Sequence, residues 1–267
     1  MFNSPNATTT WTRLLVLILI ILPAILFVVG TIGMLLFIYL PSDIQDNYEL
    51  PPLGKNSHLI VIAHGMKDSP ESWGYSLKNQ LENNSDQSAI AVIDWSGSAK
   101  NPLTCSVNAT RIGGQIASQL SGFNGLKSVH LIGHSCGSFL IQGVCDALTQ
   151  TRPEIKMQNT FLAPVSIYGG VHWDYGLANF GNCGDFNEVY VDSGDKGPGR
   201  YQWWPRSFTF DVTDVRVQSD YRGSPHLWPI TYYQGLVAKN SHPLLQEEMT
   251  ISSRLVPGGK KHVAFDL

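Results

Sequence analysis

The chain has 267 residues, a net charge of −3 and four cysteines. So small a charge, with no basic run, argues against nucleic acid as a partner. The absence of a Cys-x-x-Cys pair argues against a structural zinc site, and no metal or cofactor is expected.

Residues 1–13 read as a short tail, and residues 14–40 as a transmembrane anchor. LLVLILIILPAILFVVGTIGMLLFIYL carries no charge and exceeds the roughly 20 apolar residues that span a bilayer. It is also longer than the apolar stretch of about 7–15 residues in a cleaved signal, and no small-residue cleavage site follows. Pro23, Gly30 and Gly33 are compatible with a membrane helix. Arg13 flanks the amino side; on the other side Asp43, Asp46 and Glu49 count little and Lys55 lies near the edge of the range that counts, so the balance leans towards an inside tail. The chain then reads as a single-pass membrane protein with an extracytoplasmic catalytic domain. Asn83-Asn84-Ser85 and Asn108-Ala109-Thr110 fit glycosylation acceptors on that side. Residues 41–57 read as a linker and 58–267 as the catalytic domain.

Within the domain, apolar runs alternate with helical patterns. Strands are expected over 58–65, 89–95, 128–133, 159–169, 188–194 and 207–217, and helices over 69–84, 108–123 and 136–150. Such alternation implies a mostly parallel sheet with helices on both faces. A long stretch rich in glycine and aromatics, 170–206, includes Trp173, Trp203 and Trp204 and suits a cap or acyl-binding wall. Cys136 and Cys145 read as buried thiols. Cys105 and Cys183 fall in expected loops, where an oxidising compartment would let them pair.

Gly133-His134-Ser135-Cys136-Gly137 matches G-x-S-x-G. The apolar VHLI runs into it and CGSFLIQGV runs out, the strand-turn-helix setting that exposes a nucleophilic serine. Ser135 then needs a base and its oxyanion needs backbone donors. The Cys136 N–H is one donor, and the Met66 N–H, in the loop Ala63-His64-Gly65-Met66, is the best second. His64 reads as a packed histidine that shapes this turn. In the chain order serine, acid, histidine, His226 is the expected base, with His242 and His262 as alternatives. The acid that orients it is expected at Asp195 or Asp192; Asp211, Asp214 and Asp174 are further candidates.

These residues resemble the lipase-like branch of the α/β hydrolases, the group of the pancreatic-type lipases. The likeness runs through VIAHGM, VIDWSGS (92–98), Arg111-Ile112-Gly113-Gly114-Gln115-Ile116-Ala117, VHLIGHSCGS (129–138), TFLAP (160–164), FDVTDV (210–215) and HLWPITYY (226–233). It implies the α/β-hydrolase fold and cleavage of a carboxylic ester, lipid or otherwise hydrophobic, through an acyl-enzyme on Ser135. Many relatives carry their acid where this chain has Ala163. A shifted acid, a dyad or a catalytically weakened binding protein would each account for that departure. A thioesterase or amidase is the competing enzyme on the same scaffold.

Overall fold

The computed structural model describes residues 7–40, 48–53, 57–84, 88–241 and 260–263. It divides into two units, Met1–Ser42 and Asp43–Leu267.

The first unit is helical: α1 (Ala7–Val16), a π-helical turn (Leu17–Ile21) and α2 (Leu22–Tyr39). The stretch Trp11–Tyr39 is 29 residues of helix, long and apolar enough to cross a membrane. At 1.5 Å per residue it extends roughly 43 Å, more than the ~30 Å hydrocarbon core. Its side chains from Leu14 to Leu36 lie exposed.

The second unit is an α/β-hydrolase fold. Seven strands, all parallel where they pair, lie in the order β2-β1-β3-β4-β5-β6-β7. They are β1 (His58–Ala63), β2 (Ala89–Ile93), β3 (Ser128–His134), β4 (Lys156–Leu162), β5 (Phe186–Val191), β6 (Phe208–Asp211) and β7 (Lys260–His262). The helices are α3 (Gly74–Asn84), α4 (Cys105–Ser121), α5 (Gly137–Thr151), α6 (Tyr175–Asn179), α7 (Thr213–Gln218) and α8 (Trp228–Ala238). Successive strand residues face opposite sides. Leu59, Val61, Val129, Leu131, Phe161 and Val189 enter the core beneath α4 and α5. Ile60, Ile62, Ile132, Leu162 and Tyr190 enter the core that also holds Leu77 of α3 and Tyr233 of α8. Both faces are covered, which is why the strands read as unbroken apolar runs rather than alternating ones. The chain turns from β2 back across β1 to β3, so the C-terminal ends of β1 and β3 flank the point where strand order reverses. Ligands of open α/β sheets bind at such a crevice.

Several expectations need correction. The span 207–217 holds only the four residues of β6. Asp211 then accepts the Thr213 N–H at 3.1 Å and the Thr213 hydroxyl at 2.5 Å, a local turn that starts α7 instead of prolonging the strand. The strand expected over 159–169 starts earlier and ends at Leu162, before Ala163 at φ 44°. The helix expected from 108 begins at Cys105, which buries Asn108. Its amide donates to Ser98 O at 3.3 Å, so it is not an accessible glycosylation acceptor, whereas Asn83 stays exposed. Of the linker, Tyr48, Leu50 and Leu53 pack against the domain core. Neither Cys136 nor Cys145 is a thiol: the disulfides join Cys105 to Cys136 and Cys145 to Cys183, and Cys105 does not pair with Cys183. Cys105 opens α4, on the same side of the sheet as the elbow, which brings it to Cys136.

Candidate active site

Ser135 sits at the bend between β3 and α5 with φ 53°, in the left-handed region that a non-glycine residue enters only under constraint. Its N–H donates to Leu162 O at 3.0 Å, which pins the bend to the end of β4. The flanking glycines are needed for contact. A Cβ on Gly133 would lie 2.7 Å from Gly137 O, and one on Gly137 would lie 2.5 Å from His64 O. Any side chain there would push the bend off β1 and α5.

His226 comes from the loop between α7 and α8. Its Nε2 is 2.9 Å from Ser135 Oγ and its Nδ1 2.7 Å from Asp195 Oδ2. The second Asp195 oxygen accepts from Arg200 Nη1. Burial favours the neutral carboxyl of Asp195, but the hydrogen bonds and charges of His226 and Arg200 outweigh it and hold the group below the usual carboxylate range. An ionised acid therefore faces the imidazole. Arg200 carries no signal in the sequence: it lies in the loop 194–200, where only the glycines stand out.

Asp192 occupies a different place. Both of its oxygens accept from Arg216, and Oδ1 also takes the Gly194 N–H at 2.7 Å. Its backbone carbonyl accepts the Asp195 N–H at 2.9 Å. Asp192 thus shapes the turn that presents Asp195 and does not meet His226. Asp211 is taken up by Ser193 and Thr213, and Asp174 by the Tyr201 hydroxyl. Asp214 is exposed in the first turn of α7. His262 lies on edge strand β7, and His242 lies outside the described residues.

His134, the variable residue before Ser135, is buried, and its ring centroid is 4.8 Å from that of His226. Burial, then the neighbouring His226, pushes its imidazole down to about 3. It is neutral, so the nitrogen facing His226 O at 3.2 Å, Nε2, carries the proton and donates. A backbone bond from beneath thereby steadies the loop that carries His226. The signal for this was present in the sequence, as a histidine inside the elbow itself.

The N–H groups of Met66 and Cys136 donate to no protein group among the described residues. Met66 follows β1 and Cys136 precedes α5, so both stand at the C-terminal edge of the sheet, on either side of the crevice. His64, as expected, packs: it stacks on Trp95 at 5.4 Å, and its Nδ1 is 2.9 Å from Gly65 O. Trp204 is also core, stacked on Phe180, and is no part of an acyl-binding wall. Trp173 and Trp203 are exposed.

Residues 46–156 match the family model described as Lipase. That span contains the Met66 loop, the elbow and α5, and it supports a hydrolase of the lipase and esterase type. A lipase-esterase related protein from Clostridium acetobutylicum is similar in structure at 12% identity, covering 73% of this chain and 97% of that one, with a TM-score of 0.46. The type II thioesterase YbtT of the yersiniabactin biosynthetic pathway is similar at 13% identity, covering 73% and 96%, with a TM-score of 0.39. Carboxyl esterase 2 from Tuber melanosporum gives 10% identity, 76% and 89% coverage and a TM-score of 0.38. At these scores the likenesses add nothing to the fold read from the strand order. No curated protein matches the chain in sequence.

Proposed function

We propose that this chain is a membrane-anchored serine hydrolase that cleaves hydrophobic carboxylic esters, with Ser135 as nucleophile, His226 as base and Asp195 as the orienting acid. The observation that carries this reading is the unbroken line from Ser135 Oγ through the His226 ring to Asp195, at 2.9 and 2.7 Å.

In the proposed reaction, His226 Nε2 takes the Ser135 proton as Oγ attacks the ester carbonyl. Asp195 keeps Nδ1 protonated and stabilises the imidazolium. The carbonyl oxygen, now an oxyanion, receives the N–H groups of Met66 and Cys136, donors of the kind whose single removal costs about 10²–10³ in turnover. Collapse of the intermediate expels the alcohol, which takes its proton from His226. Water, activated by the same imidazole, then releases the acid from Ser135. Of the three readings that Ala163 leaves open, a shifted acid, a dyad or a weakened binding domain, Asp195 at 2.7 Å from the far ring nitrogen supports the shifted acid, supplied one strand further along the sheet.

Three observations support the substrate class and location. Met66, in the turn after β1, and Leu227, next to His226, are exposed near the end of the sheet where Ser135 stands, a setting for an acyl chain. The helix Trp11–Tyr39 would hold the domain at a bilayer. Two disulfides suit an oxidising, extracytoplasmic compartment.

The test is hydrolysis of 4-nitrophenyl esters of increasing chain length, and of the matching thioesters, by the wild type and Ser135→Ala. Cleavage that strengthens from short to medium chains and vanishes in Ser135→Ala is expected. Preference for thioesters would shift the assignment to a thioesterase. Turnover retained in Ser135→Ala would refute the proposed nucleophile.

A further inference from the structure

We propose that the segment Trp95–Cys105 is a positioning element that holds both oxyanion amides from one piece of chain, with the Cys105–Cys136 disulfide as its covalent tie. The proposal rests on the acyl-transfer reading above.

The two amides come from the ends of paired strands, Met66 after β1 and Cys136 after β3. The ladder ends at Ala63 and Gly133, and beyond it the two turns meet by packing, Gly137 against His64 O and Gly65 against Ser135, with no hydrogen bond among the described residues holding either amide. The segment 95–105 touches both. On the Met66 side, the Lys67 N–H donates to Ala99 O at 3.0 Å, and Lys67 is held at φ 56°. The indole N–H of buried Trp95 donates to His64 O at 3.0 Å, while the Trp95 N–H faces His64 Nε2 at 3.4 Å. The turn bearing Met66 is thus gripped at the residue after it and in the histidine two before. The segment is itself closed: Trp95 O accepts from Ser98 and Ala99, each at 3.0 Å, and Asn101 O accepts from Cys105 at 2.8 Å. At its far end Cys105 opens α4 and is bonded to Cys136, with 6.5 Å between the two Cα atoms.

The tie therefore lands on the residue whose N–H is the second donor. Its neighbour Ser135 is already in a sparsely populated backbone region. A residue there persists in that conformation only where its surroundings over-determine it. Oxyanion donors act through preorganisation, at about 2.7–3.1 Å from where charge will develop, and a misplacement of about 1 Å can cost about 10²-fold. Cys105 touches no reacting atom and acts through Cys136. Opening the bond with a dithiol delivers two electrons and two protons to the two sulfurs, leaving two cysteine thiols and the reductant as its own disulfide. The amide would then lose its covalent tie while the triad hydrogen bonds stay in place.

The second disulfide, Cys145–Cys183, is the internal control. It joins α5 to the loop before β5, away from both amides. The experiment measures 4-nitrophenyl butyrate turnover by the full chain during graded reduction with dithiothreitol, with the state of each cysteine pair read by alkylation and peptide mass spectrometry. Turnover is expected to fall about 10–10²-fold as the 105–136 pair opens. KM should stay near its starting value, since the loss is confined to the transition state, and reoxidation should restore kcat. Cys105→Ala/Cys136→Ala should reproduce the loss, and Cys145→Ala/Cys183→Ala should keep the wild-type kcat. If the first double variant does not fold, the reduction and reoxidation series on the wild type decides. Unchanged kcat with the 105–136 pair open, or loss that tracks the 145–183 pair, would overturn the proposal and leave the hydrolase reading intact. A fully oxidised wild type with no esterase turnover would overturn both.

Discussion

Asp195 accepts from His226 on one oxygen and from Arg200 on the other, and these partners outweigh the burial that favours its neutral form. Asp192, one turn earlier, spends its oxygens on Arg216 and the Gly194 N–H. The two aspartates should fail differently. Asp195→Asn is expected to lower kcat by about 10⁴, because the amide presents the imidazole in the wrong tautomer. Asp192→Asn weakens an ion pair between a buried carboxylate and a partly exposed Arg216, and should appear first as a lower melting temperature. Equal losses of kcat in both variants, at matched folded fraction, would contradict the assignment. Ser135 and His226 were legible from the sequence because the elbow is a local pattern and the histidine follows the last long apolar run. Choosing between the two aspartates was not possible, because the choice depends on Arg216 and Arg200, whose contacts arise only when the loops fold together.

At the scale of elements, β4 and β5 carry a buried polar network beneath α8. The Thr160 hydroxyl donates to Glu188 Oε1 at 2.6 Å and the Tyr190 hydroxyl to Oε2 at 2.9 Å; Gln158 approaches at 3.4 Å, and His130 of β3 lies 2.8 Å from the Thr160 hydroxyl. Tyr233 of α8 closes this core. Burial raises the Glu188 carboxyl to about 7, against the downward pull of those hydrogen bonds. The unfolded chain sheds the same proton near 4.5. A raised carboxyl contributes stability in full below the unfolded value and loses it as pH rises through the folded one. Thermal denaturation should therefore show the wild type losing stability from pH ~5 to ~7.5 more steeply than Glu188→Gln. Parallel profiles would contradict this. Strand and helix alternation was readable because each parallel strand is a short apolar run. The break at Asp211 was not, because FDVTDV alternates as a strand would while its side-chain hydrogen bonds to Thr213 start a helix. The β7 strand escaped for a similar reason. Its residues Lys260–His262 are polar, and only pairing with β6 at the sheet edge makes them a strand.

At the scale of the whole molecule, an apolar helix of 29 residues precedes a catalytic unit held by two disulfides. Composition revealed the helix, because a charge-free run of that length has few alternatives. Cysteine pairing stayed closed to sequence reasoning, since it depends on which helices become neighbours; α4 and α5 pack side by side, and that contact brings Cys105 to Cys136. The proposed function turns on the hydroxyl just past β3 becoming nucleophilic in a membrane-anchored chain. The measurement that bears on it most directly is fluorophosphonate labelling of the full-length chain in a membrane fraction, with the adduct located by tandem mass spectrometry. A single adduct on Ser135 is expected, lost in Ser135→Ala and slowed by orders of magnitude in His226→Ala. An adduct on another residue, or none on a folded and oxidised sample, would contradict it.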